Sequence, residues 1–147
     1  MSSFIELVRH PYEEPHHLNL VVKASNGAQQ ATLEFYANAG DLGAFAKAIR
    51  DVPGRKSEAL WELGSELPED RFAFYFRLRA HKIASTGQCA MEVRLNNNES
   101  PPDRQLAEFS LRALPADLDR LADLLESFGR LEHRQLRWSV TDGELLK

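Results

Sequence analysis

The sequence predicts an α+β fold: an antiparallel sheet of six to eight strands with two helices packed on one face, built from duplicated strand–strand–helix units. Three observations predict it. Residues 71–96 form two arms of apolar–polar alternation around a glycine turn, the period of a half-buried antiparallel hairpin. Residues 40–52 and 115–128 space their apolar side chains by three and four, the period of an amphipathic helix. Each helical segment also follows a strand ending in Glu-Phe: Leu33-Glu34-Phe35 precedes the first, and Ala107-Glu108-Phe109 the second. The spacing differs by two residues between these copies, so the internal repeat is weak.

Taken in order, Phe4-Ile5-Glu6-Leu7-Val8 reads as a strand, and residues 10–17, with Pro11, Pro15 and their charges, as a loop. Residues 17–24 alternate through Leu18, Leu20 and Val22 and meet Asn26-Gly27, a type I′ hairpin signal, so residues 29–36 are the partner strand. The first helix places Leu42, Phe45, Ala46 and Ile49 on one stripe, with Asn38 as its cap, Asp41 at the positive end of its dipole and Pro53-Gly54 as its stop. Ala59-Leu60-Trp61-Glu62-Leu63 is a short strand candidate between polar loops.

The central hairpin follows, with Phe72, Phe74, Phe76, Leu78 and Ala80 on one face of its first arm and Met91, Val93 and Leu95 on the same face of its second. Burying the three phenylalanines is worth roughly 1.5–3 kcal/mol each, so they read as core. Residues 96–103 are a loop, residues 105–112 a strand, and Pro115 opens a helix that carries Leu118, Leu121, Ala122, Leu125 and Phe128 and that Gly129 closes. A last strand lies within residues 131–140.

Length and composition bound the function. A chain of 147 residues, 43% hydrophobic, is one domain with enough apolar surface for a core. Net charge −4 argues against general nucleic-acid binding, which rests on a surplus of Lys and Arg. No segment has the apolar length of a signal peptide or a membrane span, and a single cysteine, Cys89, suits a reducing compartment. These features predict a cytoplasmic protein with no membrane partner.

Four constellations are candidates for chemistry. In the hairpin, a two-residue loop at Thr86-Gly87 pairs Leu78 with Leu95, His81 with Glu92 and Arg79 with Arg94, which gathers Arg77, Arg79, His81 and Arg94 on the outer face. Like charges directly opposite are unfavourable, so this cluster either borrows nearby carboxylates or meets an anionic partner. Trp61, ringed by Glu58, Glu62, Glu66, Glu69 and Asp70, offers a basic partner an aromatic anchor among carboxylates. His10, His16 and His17 with Glu13 and Glu14 lack the i, i+4 spacing of a helical metal site, so no metal is assigned. Cys89 and His81 fall on opposite faces of the hairpin and cannot act as nucleophile and base, so no catalytic residue and no cofactor are assigned.

The order of hairpin, strand–helix, second hairpin and strand–helix resembles small bacterial cytosolic proteins of the WapI-type immunity family and related ββα–ββα proteins. Asp41-Leu42-Gly43-Ala44-Phe45 matches a Asp-Leu-x-x-Phe pattern in the first helix, Gly87 a turn in the central hairpin, and Glu108-Phe109-Ser110 through Leu125 the final strand and Leu-rich helix. The similarity spans residues 18–128 and its motifs are dispersed core positions. It implies a non-enzymatic protein that binds and neutralises a toxin domain, with no catalytic residues to carry over.

The sequence therefore predicts a protein-interaction module that uses Trp61, Glu62 and Glu66 toward a basic partner and Arg77, Arg79, His81 and Arg94 toward an acidic one. A homodimer joined through a sheet edge or face, with Tyr75 and Trp138 as contacts, and a small-ligand-binding domain are the alternatives. A small hydrolase would need convergent polar groups that the sequence does not offer at recognisable spacing.

Overall fold

The computed structural model describes residues 3–52 and 58–147. Among these residues, nine strands and two long helices run in the order β1 (Ser3–His10), β2 (His17–Asn26), β3 (Gln30–Asn38), α1 (Gly40–Asp51), β4 (Glu58–Gly64), β5 (Tyr75–Lys82), β6 (Cys89–Asn96), β7 (Leu106–Ala113), α2 (Pro115–Phe128), β8 (Gln135–Ser139) and β9 (Gly143–Leu146). They form two antiparallel sheets. One has five strands in the order β3-β2-β1-β8-β9 and the other four in the order β4-β5-β6-β7. The α+β class holds, whereas the expected single sheet of six to eight strands is replaced by two sheets facing each other. Period-2 alternation states that a strand buries one face, and a second sheet covers that face as well as helices do.

Between the sheets lies an aromatic junction. Phe35 of β3 stacks on Phe76 of β5, with ring centres 4.1 Å apart. Trp61 of β4 meets Phe35 at 5.9 Å and Phe76 at 4.8 Å, both edge-on, and also touches Phe45 of α1 at 5.6 Å. The phenylalanine face of the hairpin is thus covered by the other sheet, not by the two helices alone. These residues belong to one contiguous core with the buried stripes of both helices.

Both helices lie where the spacing places them. Leu42, Phe45, Ala46 and Ile49 are buried in α1, and Leu118, Leu121, Ala122, Leu125 and Phe128 in α2. The expected cap Asn38 ends β3 instead, and its backbone N–H donates to the Asp41 carboxylate at 3.1 Å. Asp117 does the same for the Leu114 N–H, at 2.8 Å. Gly129 follows α2 in ordinary right-handed conformation, not the left-handed one expected of a glycine stop, and lies close against Leu42 of α1. Arg50 links the helices, donating to Asp123 at 2.5 Å and Glu126 at 2.7 Å. The expected stop at Pro53-Gly54 lies outside the described residues.

Three local expectations are corrected. The β2–β3 turn centres on Gly27-Ala28, one residue later than Asn26-Gly27, and only Gly27 takes positive φ (91°). The Asn26 side chain accepts from Ala28 and Gln29 N–H, which stabilises this form. The first arm of the central hairpin begins at Tyr75, because a 3-10 turn at Pro68–Asp70 and a left-handed Arg71 (φ 54°) break the extended run. Phe72 consequently stands 50% exposed instead of in the core. The chain also ends in a hairpin, β8–β9, with β8 pairing on β1.

The strand–helix pairs are present as β3–α1 and β7–α2, at the ends of runs of three and four strands. Their sheets therefore differ in strand number around each pair. Among the described residues, no helix is long and apolar enough to cross a membrane.

Candidate functional surface

The outer face of the four-stranded sheet gathers most of the charged residues singled out in the sequence. In the hairpin β5–β6, Arg77 faces Arg94, Arg79 faces Glu92 and His81 faces Ala90, two residues away from the expected pairing. The loop is the cause: four residues, 84–87, are closed by Ile83 N–H to Gln88 O (2.8 Å) and Gly87 N–H to Ala84 O (3.0 Å). Gly87 supplies the positive φ (99°) that ends it. A slip of two leaves every side chain on its predicted face, because the period of a strand is two.

This register interlocks the arginines with carboxylates. Glu58 accepts from Arg79 at 2.5 Å, and Arg79 reaches Glu92 at 3.4 Å. Glu92 accepts from Arg77 at 2.6 Å, and Arg77 reaches Glu108 of β7 at 3.1 Å. Glu108 accepts from Arg94 at 2.5 Å, and Arg94 pairs with Glu66 at 3.0 Å. Asn96 completes the chain, donating to Glu66 at 2.7 Å. Each of the three arginines thus holds two carboxylates, so of the two expectations for this cluster the structure shows the one in which it borrows nearby carboxylates. Four glutamates against three arginines leave the lattice with surplus negative charge before the exposed Glu62 is added.

The electrostatics follow the geometry. Burial opposes ionisation of Glu66, but the Asn96 amide and the Arg94 guanidinium outweigh it and hold its carboxyl below the ordinary range. Burial, joined by a hydrogen bond to Glu62, pushes the Tyr75 phenol up. Tyr75 is itself buried, and Trp138 is fully buried with its Nε1 donating to Asp117 O at 2.9 Å. Neither is a surface contact for a dimer.

Trp61 is likewise corrected. It is buried in the aromatic junction, and its indole N–H has no partner among the described residues. Alternation carries the reason: Glu62 beside it points outward, so the tryptophan points in.

Beyond Glu66 and Arg94 the lattice opens into a groove of about 690 Å³. Leu67 and Phe72 line it and are 57% and 50% exposed. Asn98, at φ 55°, donates to Ser65 O (2.8 Å) and Phe72 O (3.0 Å) and fixes its far wall. Sequence reasoning passed over this groove. Its one signal was the run Asn96-Asn97-Asn98, whose amides hold the loop together: Asn96 Oδ1 accepts from Asn98 N–H and Asn97 Oδ1 from Gln105 N–H.

The remaining candidates are placed elsewhere. Cys89 is buried, its thiol pushed up by that burial, and it donates to Gly87 O at 3.3 Å while His81 lies on the opposite face. Glu14 is held by Arg9, whose Nη1 lies 2.7 and 2.6 Å from its two oxygens. Among the described residues no three His, Cys, Asp or Glu side chains come together around a metal position.

The fold and surface define a two-sheet α+β protein in which the outer face of the four-stranded sheet is charge-interlocked and, among the described residues, uncovered. The chain is similar in structure to the plant transcriptional regulator PBF-2, at a TM-score of 0.50 and 10% identity, over 88% of this chain and 76% of that one. At that identity the likeness describes the fold. No family model and no curated protein matches the chain.

Proposed function

We propose that this protein is a protein-interaction module that docks a partner on the outer face of the β4–β7 sheet. One observation carries the reading: an uncovered face held by a continuous lattice of ion pairs, with surplus carboxylate, runs into a groove bearing exposed Leu67 and Phe72. A lattice of this kind is ordered before a partner arrives, which lowers the entropic cost of docking. The surplus of Glu58, Glu62, Glu66 and Glu108 suits a basic partner surface, and Phe72 offers the apolar anchor first ascribed to Trp61. Arg77, Arg79 and Arg94 act by holding Glu58, Glu66 and Glu108 in place, Tyr75 holds Glu62, and His81 stands at the rim.

The form implied by the family resemblance is toxin neutralisation in the cytoplasm, without catalysis. The test is calorimetric titration of the chain with the product of the neighbouring reading frame. Glu62→Lys with Glu66→Lys is expected to weaken binding more than tenfold, and Phe72→Ala and added salt to weaken it also. Absence of binding to that product, or binding indifferent to these substitutions, overturns the reading.

A further inference from the structure

The edge of the four-stranded sheet, as distinct from its face, carries a second pattern. β7 is its outermost strand. The backbone bond from Asn97 N–H to Gln105 O fixes the phase of β7 on β6. Ala107, Phe109, Leu111 and Ala113 then bond inward, and the N–H and C=O groups of Leu106, Glu108, Ser110 and Arg112 point out at the open edge. Of the usual edge protections, Leu106–Ala113 has no proline, no lysine and no bulge in its pairing, and its charges are one of each sign, Glu108 and Arg112. Extended backbone continues to Leu114 (φ −91°, ψ 161°). Leu106 and Leu114, near the two ends, are 45% and 56% exposed. Arg112 is exposed and has no carboxylate partner among the described residues.

We propose that β7 pairs antiparallel with β7 of a second copy about a two-fold axis at Ser110, joining two four-stranded sheets into one. About that axis the outward-facing residues are self-complementary. Leu106 lies opposite the partner's Leu114, Glu108 opposite the partner's Arg112, and Ser110 opposite the partner's Ser110, each heteropair occurring twice. On the inner face, Phe109 meets the partner's Leu111 and Ala107 the partner's Ala113. Other registers lose this match. An axis at Phe109 sets Leu106 against Arg112 and Glu108 against Ser110, which forms no ion pair, whereas an axis at Glu108 sets carboxylate on carboxylate and an axis at Arg112 guanidinium on guanidinium, like charges directly opposite that are unfavourable in a strand pair. The axis at Ser110 also uses the free backbone groups of Glu108, Ser110 and Arg112 on both copies, as an isologous interface requires. It extends the ion-pair lattice, with Arg112 meeting a Glu108 that already bridges Arg77 and Arg94.

Sedimentation equilibrium of the full chain over the micromolar range tests this, with circular dichroism to verify the fold of every variant. The expected mass is twice 16.7 kDa. Arg112→Glu should raise the dimer dissociation constant at least tenfold, Ser110→Pro should abolish the dimer, and Glu34→Lys on the edge strand β3 should leave it unchanged. Paired Cα atoms at the axis lie about 5.5 Å apart, within disulfide reach. Oxidised Ser110→Cys should therefore give a covalent dimer on a denaturing gel, and Glu34→Cys should not. A monomer throughout the range, or a dimer that ignores Arg112→Glu and gives no Ser110→Cys cross-link, overturns the proposal.

Discussion

Arg9 and Glu66 show how single polar side chains carry long-range structure in this protein. Arg9 is nearly buried in β1, holds Glu14, and donates to His133 O at 3.0 Å and Leu131 O at 3.1 Å, tying the first strand to the segment after α2. Glu66 joins a loop to β6 through Arg94 and Asn96. Its carboxyl is held below the ordinary range, so the unfolded chain binds a proton more readily than the folded one. The stabilisation it provides is therefore complete above the ordinary carboxylate pKa and is lost as pH falls through its lowered folded value. Glu66→Gln should destabilise the protein at neutral pH, and the deficit should vanish in acid. Urea unfolding of both proteins across that range measures this.

Among the elements, β4 and β5 depend most on a single residue. Gly64 ends β4 at φ 81°, and a Cβ there would lie 2.1 Å from the backbone oxygen of Phe74. Gly64→Ala should cost about 1–3 kcal/mol for its backbone conformation, with the clash in addition. Thermal unfolding measures the loss. The same element explains what sequence could and could not give: Ala59-Leu60-Trp61-Glu62-Leu63 alternates, so the strand was legible, but the alternation does not say whether Trp61 or Glu62 faces water until a partner strand is known. The β5–β6 hairpin repeats the lesson. Its faces were legible because apolar residues mark them, and its register was not, because a slip of two keeps the same faces.

At the scale of the molecule, the two sheets meet through Phe35, Trp61 and Phe76, drawn from β3, β4 and β5. Phe35 is fully buried and touches both of the others. Phe35→Ala should cost about 3–5 kcal/mol, read as a lower denaturant midpoint. The candidate surface depends on this packing too. With the inner faces buried against each other, the outer face of β4–β7 is left for the charged residues, and the exposed Phe72 and Leu67 stand beside it.

The sequence by itself determined both helices, their buried stripes, most of the strands and the side of each strand that is apolar, since periodicity and local turn chemistry are written in neighbouring residues. Tertiary structure decided that the strands divide into two sheets, that Trp61 is core while Phe72 is surface, and that Arg77, Arg79 and Arg94 of the outer face are paired. Those outcomes depend on Glu66, Glu92 and Glu108 being brought to Arg77, Arg79 and Arg94 from different strands and a loop. Charge neutralisation and sheet partition are settled by contacts between residues far apart in the chain, and no local pattern specifies them.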